Sequence, residues 1–468
     1  MTKQIKRRSF IKVLGLGGGM LLVGNPRGFT LPAGKPSDPV QNGKLWTQTG
    51  RFTHQQLIGY GREYGLPLFV YDGDLMAARF AKFKRAFEQH YPRVKVHYAL
   101  KANTNLSIVG LLKQAGAAAE CISMGEIQIA RKLGYQGSDI LFTASSKSPD
   151  ELEYAVSHGV TVNLDSLSDL TNLEAVIARL NKTVNISFRI NPDVDPHTHR
   201  HISTGHKFSK FGILLEGDEA MEAYGRAARN PLIRIRGVHS HIGSQILDLE
   251  PFERNVKLVA SVVKALRQRL GIQLEFIDLG GGLGIPYLDG QQGLEPETVA
   301  EKVSAMLKQE LAELGPLPEL WLEPGRYFVA EAGILLARVN SVKDTPYQHF
   351  INLNTGFNHL VRPILYEAHH RVRVLGGQNS PRNYEVAGNI CETGDILGHE
   401  RYLPTPVVGD TVAILDAGAY GFSMASEYNS FLLPAEILVR GQKAAVIRRR
   451  AQFEDLLRNQ VLLPDLKT

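Results

Sequence analysis

Val94-Lys95-Val96-His97-Tyr98-Ala99-Leu100-Lys101-Ala102-Asn103 alternates with period two and then runs into polar residues, the pattern of a strand that ends at a loop. It predicts a strand over Val94–Ala99 with Lys101 at its C-terminal end, on the face that carries His97 and Ala99. Working outward, seven more apolar segments follow: Ala117–Ile122, Asp139–Ala144, Val160–Asp165, Val184–Asn191, Ile235–Gly243, Glu275–Gly282 and Glu319–Arg326. Helix-like stretches such as Leu106–Ala115 and Phe252–Leu270 separate them. Eight strands in strict alternation with helices predict an α/β fold, a (β/α)8 TIM barrel, in preference to an open doubly wound sheet. Such barrels take their ligand groups from the C-terminal strand ends, which here carry Lys101, Glu126, Arg189, His241, Gly280 to Gly282 and Glu323.

Beyond Gly333 the pattern changes to short β-rich runs, Ile334–Val339, Tyr384–Val386, Val412–Leu415, Ala435–Val439 and Ala444–Ile447, broken by Gly, Pro and Asn. They predict a second, C-terminal all-β domain over residues 334–468, following a barrel at 76–333. The segment Leu68–Tyr71 precedes the barrel, so residues 34–75 are expected to contribute a strand to that β domain.

The front of the chain is different in kind. The 468 residues carry a formal net charge of +6, and Met1 to Ala33 alone hold six basic residues and no acid. The remainder is therefore neutral, which excludes a basic body for nucleic-acid binding. Lys6-Arg7-Arg8-Ser9-Phe10-Ile11-Lys12 precedes a glycine-broken apolar run from Val13 to Val23. The order of basic, apolar and small-residue regions resembles a twin-arginine signal over residues 1–33, implying engagement of the twin-arginine export machinery and a periplasmic location. The apolar run is shorter than the ~20 residues a membrane span needs, so no stable membrane anchor is expected. Cys121 and Cys391 do not make a disulfide framework, and a twin-arginine route carries folded proteins, often with a cofactor.

Lys101 at a barrel mouth is either a solvated strand-end lysine or an amine kept neutral by low-dielectric walls, the form that makes a Schiff base. Asp278-Leu279-Gly280-Gly281-Gly282-Leu283-Gly284-Ile285 offers converging backbone N–H groups for an anion, or a plain tight turn. It fits neither G-x-G-x-x-G nor G-x-x-x-x-G-K, which disfavours dinucleotide or ATP binding. Glu323-Pro324-Gly325-Arg326 supplies a carboxylate suited to a pyridine nitrogen and a guanidinium suited to a phosphate or carboxylate. For His239 and His241, ring stacking and core packing are favoured over metal ligation, since no cysteine or carboxylate sits at matching spacing; no metal is expected. Lysine, glycine cradle, glutamate and arginine on one barrel together describe a pyridoxal 5'-phosphate site.

Tyr98-Ala-Leu-Lys-Ala-Asn103, Arg189-Ile-Asn-Pro-Asp-Val194, His197-Thr-His199, Lys210-Phe-Gly212, His241-Ile-Gly-Ser-Gln245, Asp278-Leu-Gly-Gly-Gly282, Glu323-Pro-Gly-Arg326, Arg362-Pro-Ile-Leu-Tyr366, Cys391-Glu-Thr-Gly-Asp395 and Asp416-Ala-Gly-Ala-Tyr420 occur in this order. Over nearly all of Phe52–Val439 the chain thereby resembles the diaminopimelate decarboxylases, alanine-racemase-like pyridoxal phosphate enzymes. The resemblance implies that Lys101 holds the cofactor covalently, that His241 stacks on its ring, and that Glu323 pairs with the ring nitrogen. It gives Gly281, Gly282, Gly325, Arg326 and Ser244 to the phosphate, with Tyr420 beside the cofactor. Arg326, Arg362, Tyr366, Glu392 and Tyr420 match substrate-gripping positions, and Cys391 matches a general acid. It further implies a homodimer in which Cys391 and Glu392 complete the partner's site. The implied reaction is decarboxylation of meso-diaminopimelate to L-lysine at the D-configured carbon. A decarboxylase of D-lysine or D-ornithine on the same scaffold is the alternative, with a racemase or a non-catalytic pyridoxal phosphate-binding protein behind it. Asn354 and His359 stand where the family has aspartates, and Ser430–Pro434 where it has a basic stretch. Cys121 is expected to be packing.

Overall fold

The computed structural model describes residues 51–466 apart from His197, Arg200, His201 and Glu216. The expected export signal at 1–33, and residues 34–50 of the segment after it, lie outside the described residues.

A first strand, β1 (Leu68–Asp72), is followed by the helix Gly73–His90, whose cap Asp72 accepts from the Asp74 and Leu75 N–H groups. Next come β2 (Val94–Ala99), β3 (Ala118–Cys121), β4 (Ile140–Phe142), β5 (Thr161–Leu164), β6 (Val184–Asn191), the two-residue β7 (Ile213–Leu214), β8 (Ile233–Ser240), β9 (Phe276–Asp278) and β10 (Glu319–Leu322). Eight of these pair in parallel in the order β5-β4-β3-β2-β10-β9-β8-β6, and β5 pairs with β6 to close the ring; β7 adds to β6. The expected (β/α)8 barrel is therefore present. The helices after β2 to β5 each begin on a small polar residue, Asn105, Ser123, Ser148 and Ser166, whose side chain accepts from the first turn. Such caps contribute about 1 kcal/mol each and fix where each helix begins.

Several strands are shorter at their C-terminal ends than the sequence predicts. β9 stops at Asp278 and β10 at Leu322. Gly280 (φ 70°) and Gly282 (φ 110°) turn the chain out of the sheet, and Arg326 already opens the short helix Arg326–Val329. Lys101 likewise lies in a 3-10 turn, Leu100–Ala102, just after β2. The residues that carry chemistry are thus in the loops at the barrel mouth.

The second sheet comprises β1 with β11 (Gly333–Asp344), β12 (His349–Leu353), β13 (Val372–Val374), β14 (Gln378–Ala387), β15 (Ile396–Thr405), β16 (Thr411–Ile414), β17 (Ala435–Arg440) and β18 (Lys443–Arg448). Its main order is β15-β14-β12-β11-β1-β17-β18, with β16 pairing β11 and β13. β1 runs antiparallel to β11 (Leu68 opposite Leu336) and parallel to β17 (Leu68 opposite Ala435). β12, β13 and β15 are not predicted by the sequence reading; β15 mixes Gly, His, Glu and Pro and is half exposed, so no apolar alternation marks it.

The two sheets are stitched together at the Lys101 loop. Tyr420 N–H and Ser423 Oγ donate to the Ala102 carbonyl (2.9 and 3.2 Å), and Asn103 Nδ2 donates to Gly418 O (3.1 Å). Just beyond, Asn105 Nδ2 and Tyr71 OH both donate to the fully buried Glu436 (2.9 and 2.7 Å). The β domain therefore fixes the turn that presents Lys101.

Candidate active site

Lys101 Nζ donates to both oxygens of Glu120, at 2.9 and 2.8 Å. Glu120 is completely buried on β3 and also accepts from Thr143 Oγ1. Burial works to lower the Lys101 pKa, but the charges of Glu120 and Glu323 outweigh it and hold the ammonium above the ordinary lysine range. Low-dielectric walls alone would keep this amine neutral, one of the two readings the sequence leaves open; a buried counter-ion that the sequence reading did not assign reverses that desolvation effect.

His241 follows β8. Its Nδ1 accepts from Gly281 N–H at 3.2 Å, and burial pushes its pKa well down, helped by the nearby Lys101 and Arg189 charges. The ring is therefore neutral. A Cβ on Gly280 would come within 2.7 Å of that ring nitrogen, and one on Gly281 within 2.3 Å of the Glu323 carbonyl. A Cβ on Gly325 would press the Ala99 and Ala102 side chains at 3.0 Å. This is a cradle in which backbone, rather than side chains, lines the wall.

Arg326, buried beside it, donates through Nε and Nη2 to Ser244 Oγ (3.2 and 2.9 Å) and through Nη1 to Tyr287 OH (2.8 Å). Its guanidinium carbon lies 4.9 Å from the Tyr420 ring centre. Arg362, also buried, lies 4.7 Å from the Tyr287 ring centre and donates to His370 Nε2 at 2.8 Å, while His370 Nδ1 donates to Leu415 O. Tyr366 is close enough to both guanidiniums to act on them electrostatically. Two arginines whose own partners are hydroxyls and a neutral imidazole make a strongly anion-binding pocket.

Glu323 is buried between Lys101, Arg189, His239 and Asp278. Burial raises its pKa, while the charges of Lys101 and Arg189 pull it back. Lys101, His241, Ser244, Gly281, Gly282, Glu323, Gly325, Arg326, Arg362, Tyr366 and Tyr420 are thus brought to one place. Cys391 and Glu392 find their polar partners elsewhere: Cys391 N–H donates to Asn429 Oδ1 (3.3 Å) and Tyr428 OH donates to Glu392 (2.6 Å), both on exposed surface. Cys121 is buried, with its thiol pushed up by burial, as a packing residue would be. Sequence reasoning missed Glu120, Tyr287 and His370; Glu120 was detectable as the lone charge in the apolar strand Ala118–Cys121.

The residues fit pyridoxal 5'-phosphate: an amine, a glycine cradle with no room for side chains, a guanidinium with no carboxylate partner among the described residues, a flat neutral imidazole, and a buried carboxylate. A barrel with this site defines a pyridoxal phosphate-dependent enzyme, and residues 76–330 match the family model "Pyridoxal-dependent decarboxylase, pyridoxal binding domain". Diaminopimelate decarboxylase of Methanothermobacter thermautotrophicus is 41% identical over 401 residues, covering 85% of this chain and 92% of the relative. That of Archaeoglobus fulgidus is 40% identical over 403 residues, covering 86% and 94%. The crystal structure of diaminopimelate decarboxylase from M. jannaschii superposes with a TM-score of 0.85 at 34% identity, covering 92% of this chain and 98% of that one. The Helicobacter pylori enzyme complexed with L-lysine gives 0.80 at 37% identity, covering 86% and 98%. The chain belongs to the diaminopimelate decarboxylase family.

Proposed function

We propose that the protein decarboxylates meso-diaminopimelate at its D-configured carbon, releasing carbon dioxide and L-lysine. The observation that carries this reading is the pair of buried guanidiniums, Arg326 and Arg362, flanking Tyr287 within the pocket that also holds Lys101. A substrate with an amino acid group at both ends needs an anchor for its distal carboxylate, and Arg362 supplies one.

Pyridoxal 5'-phosphate, when bound, supplies an electron-poor ring that accepts the electron pair left as the carbon–carboxylate bond breaks. Lys101 is the amine that holds it, and the Gly281–Gly282 turn, Gly325, Ser244 and Arg326 receive its phosphate. His241 offers a flat neutral face to the ring. Glu323 keeps the ring nitrogen protonated, which favours decarboxylation over racemisation.

The proton returned to the substrate carbon comes from Cys391, contributed with Glu392 by a second copy of the chain. Their exposure, and their bonding to Asn429 and Tyr428 rather than to Lys101, support a homodimer with shared sites. The Arg7-Arg8 pattern and the confinement of the charge excess to the first 33 residues support twin-arginine export to the periplasm. Among the described residues no helix is long and apolar enough to cross a membrane.

The test is carbon dioxide release by cofactor-loaded protein from meso-diaminopimelate, D- and L-lysine, and D- and L-ornithine. Release from D-lysine or D-ornithine alone would replace this reading with a basic D-amino acid decarboxylase.

A further inference from the structure

Asp278, the last residue of β9, and Glu323, just past β10, face each other in the barrel core. Their strands pair with Trp321 opposite Asp278, and Glu323 N–H donates to Gly280 O at 2.8 Å. Asp278 is fully buried and Glu323 nearly so. Asp278 Oδ1 accepts from Gly280 N–H at 2.8 Å, and Glu323 Oε2 lies 3.2 Å from His239 Nε2. That leaves one oxygen on each carboxyl, Asp278 Oδ2 and Glu323 Oε1, buried with no donor among the described residues. The cluster of His239, Asp278 and Glu323 is tight, one polar atom of each lying within 4.8 Å of the others.

Two ionised carboxylates cannot share such a space cheaply, and a single proton between them satisfies both orphaned oxygens at once. The surroundings decide which carboxyl keeps it. Glu323 faces the positive charges of Lys101 and Arg189. Burial first, then the negative charge of Glu323 and, more weakly, of Glu120 disfavour the ionised form of Asp278, and together they outweigh the Gly280 N–H donor that favours it. His239, kept neutral by burial and the nearby cations, can donate from Nε2 to Glu323 as well.

We propose that Asp278 is a positioning residue that stays protonated, donates to Glu323 to hold it ionised for the cofactor's ring nitrogen, and with its other oxygen anchors the glycine cradle at Gly280. One side chain then sets the register between the nitrogen-binding and phosphate-binding ends of the site. The inference rests on the reading of Glu323 as the partner of the ring nitrogen.

The test uses Asp278→Asn, which keeps an acceptor for Gly280 and a donor for Glu323, and Asp278→Ala, which keeps neither. On the cofactor-free protein, infrared difference spectra between wild type and Asp278→Asn should show the C=O stretch of a protonated buried carboxyl at neutral pH in wild type only. Asp278→Asn should retain cofactor affinity and kcat within about threefold, while Asp278→Ala loses about tenfold to a hundredfold in both, as expected when a buried acceptor is left unpaired. Absence of the protonated band overturns the proposal without touching the role of Glu323, because that readout needs no cofactor. Equal damage from the two Asp278 substitutions, with folding intact by circular dichroism, also overturns it. A Glu323→Gln enzyme with full activity removes the reading beneath it.

Discussion

Lys101 Nζ lies 2.8 Å from Glu120 Oε2 and 2.9 Å from Oε1, so the amine meant for the cofactor is held as an ammonium by a buried carboxylate. Capture of an aldehyde needs the neutral amine. Glu120→Gln removes the main opposing charge and should lower the Lys101 pKa, and each unit of lowering gives about tenfold more neutral amine at neutral pH. Stopped-flow absorbance of cofactor-free protein mixed with pyridoxal 5'-phosphate should therefore show faster covalent capture in the variant; slower capture would mean that Glu120 chiefly orients the lysine.

Arg362→Ala should separate the candidate substrates. Loss of a charge-assisted anchor costs about 1.5–3 kcal/mol, or roughly tenfold to a hundredfold, in kcat/KM for meso-diaminopimelate. Any turnover of D-lysine, which has no distal carboxylate, should change much less. Parallel loss on both substrates would assign Arg362 a structural role through His370.

Glu126 predicts a pH effect on stability. It is buried, its Oε2 accepts from Ile122 N–H (2.7 Å), and burial together with the Glu120 charge raises its pKa to about 7. Between the ordinary glutamate pKa and that value the folded state binds more protons than the unfolded one, so stability contributed at this site falls as pH rises from about 4.5 to 7. Glu126→Gln, whose amide oxygen can still accept from Ile122, should gain stability relative to wild type at pH 7.5 but not at pH 4.5. Urea unfolding at the two values measures the difference.

Shared sites are tested by complementation. Lys101→Ala and Cys391→Ala proteins should each be inactive; mixed under subunit exchange they should recover about one quarter of wild-type activity, since half the dimers are hybrids and each hybrid has one intact site. No recovery in demonstrably hybrid dimers would place Lys101 and Cys391 of one site on the same chain.

The barrel was legible because its strands are buried on both faces and read as apolar runs separated by helix-like stretches. Lys101, the glycine run and Glu323 stood out because strand-end loops concentrate polar and glycine residues. Tyr287 did not, and Glu120, detectable as a lone charge in its strand, gave no sign of its partner, because both roles arise from tertiary approach: β3 beside β2 puts Glu120 against Lys101, and the loop after β9 carries Tyr287 to Arg326. Asp278 was visible inside its motif, but its meaning depends on a carboxyl 45 residues later that only the pairing of β9 with β10 brings to it. Half-exposed β15 was invisible for a simpler reason, the lack of an apolar face.

Decarboxylation of meso-diaminopimelate at its D-configured end is tested most directly by quantifying both products from a limiting amount of that compound with cofactor-loaded protein. Equimolar carbon dioxide and L-lysine, with the all-L isomer inert, is the expected result; D-lysine as product, or no gas from the meso compound, would rule this reaction out.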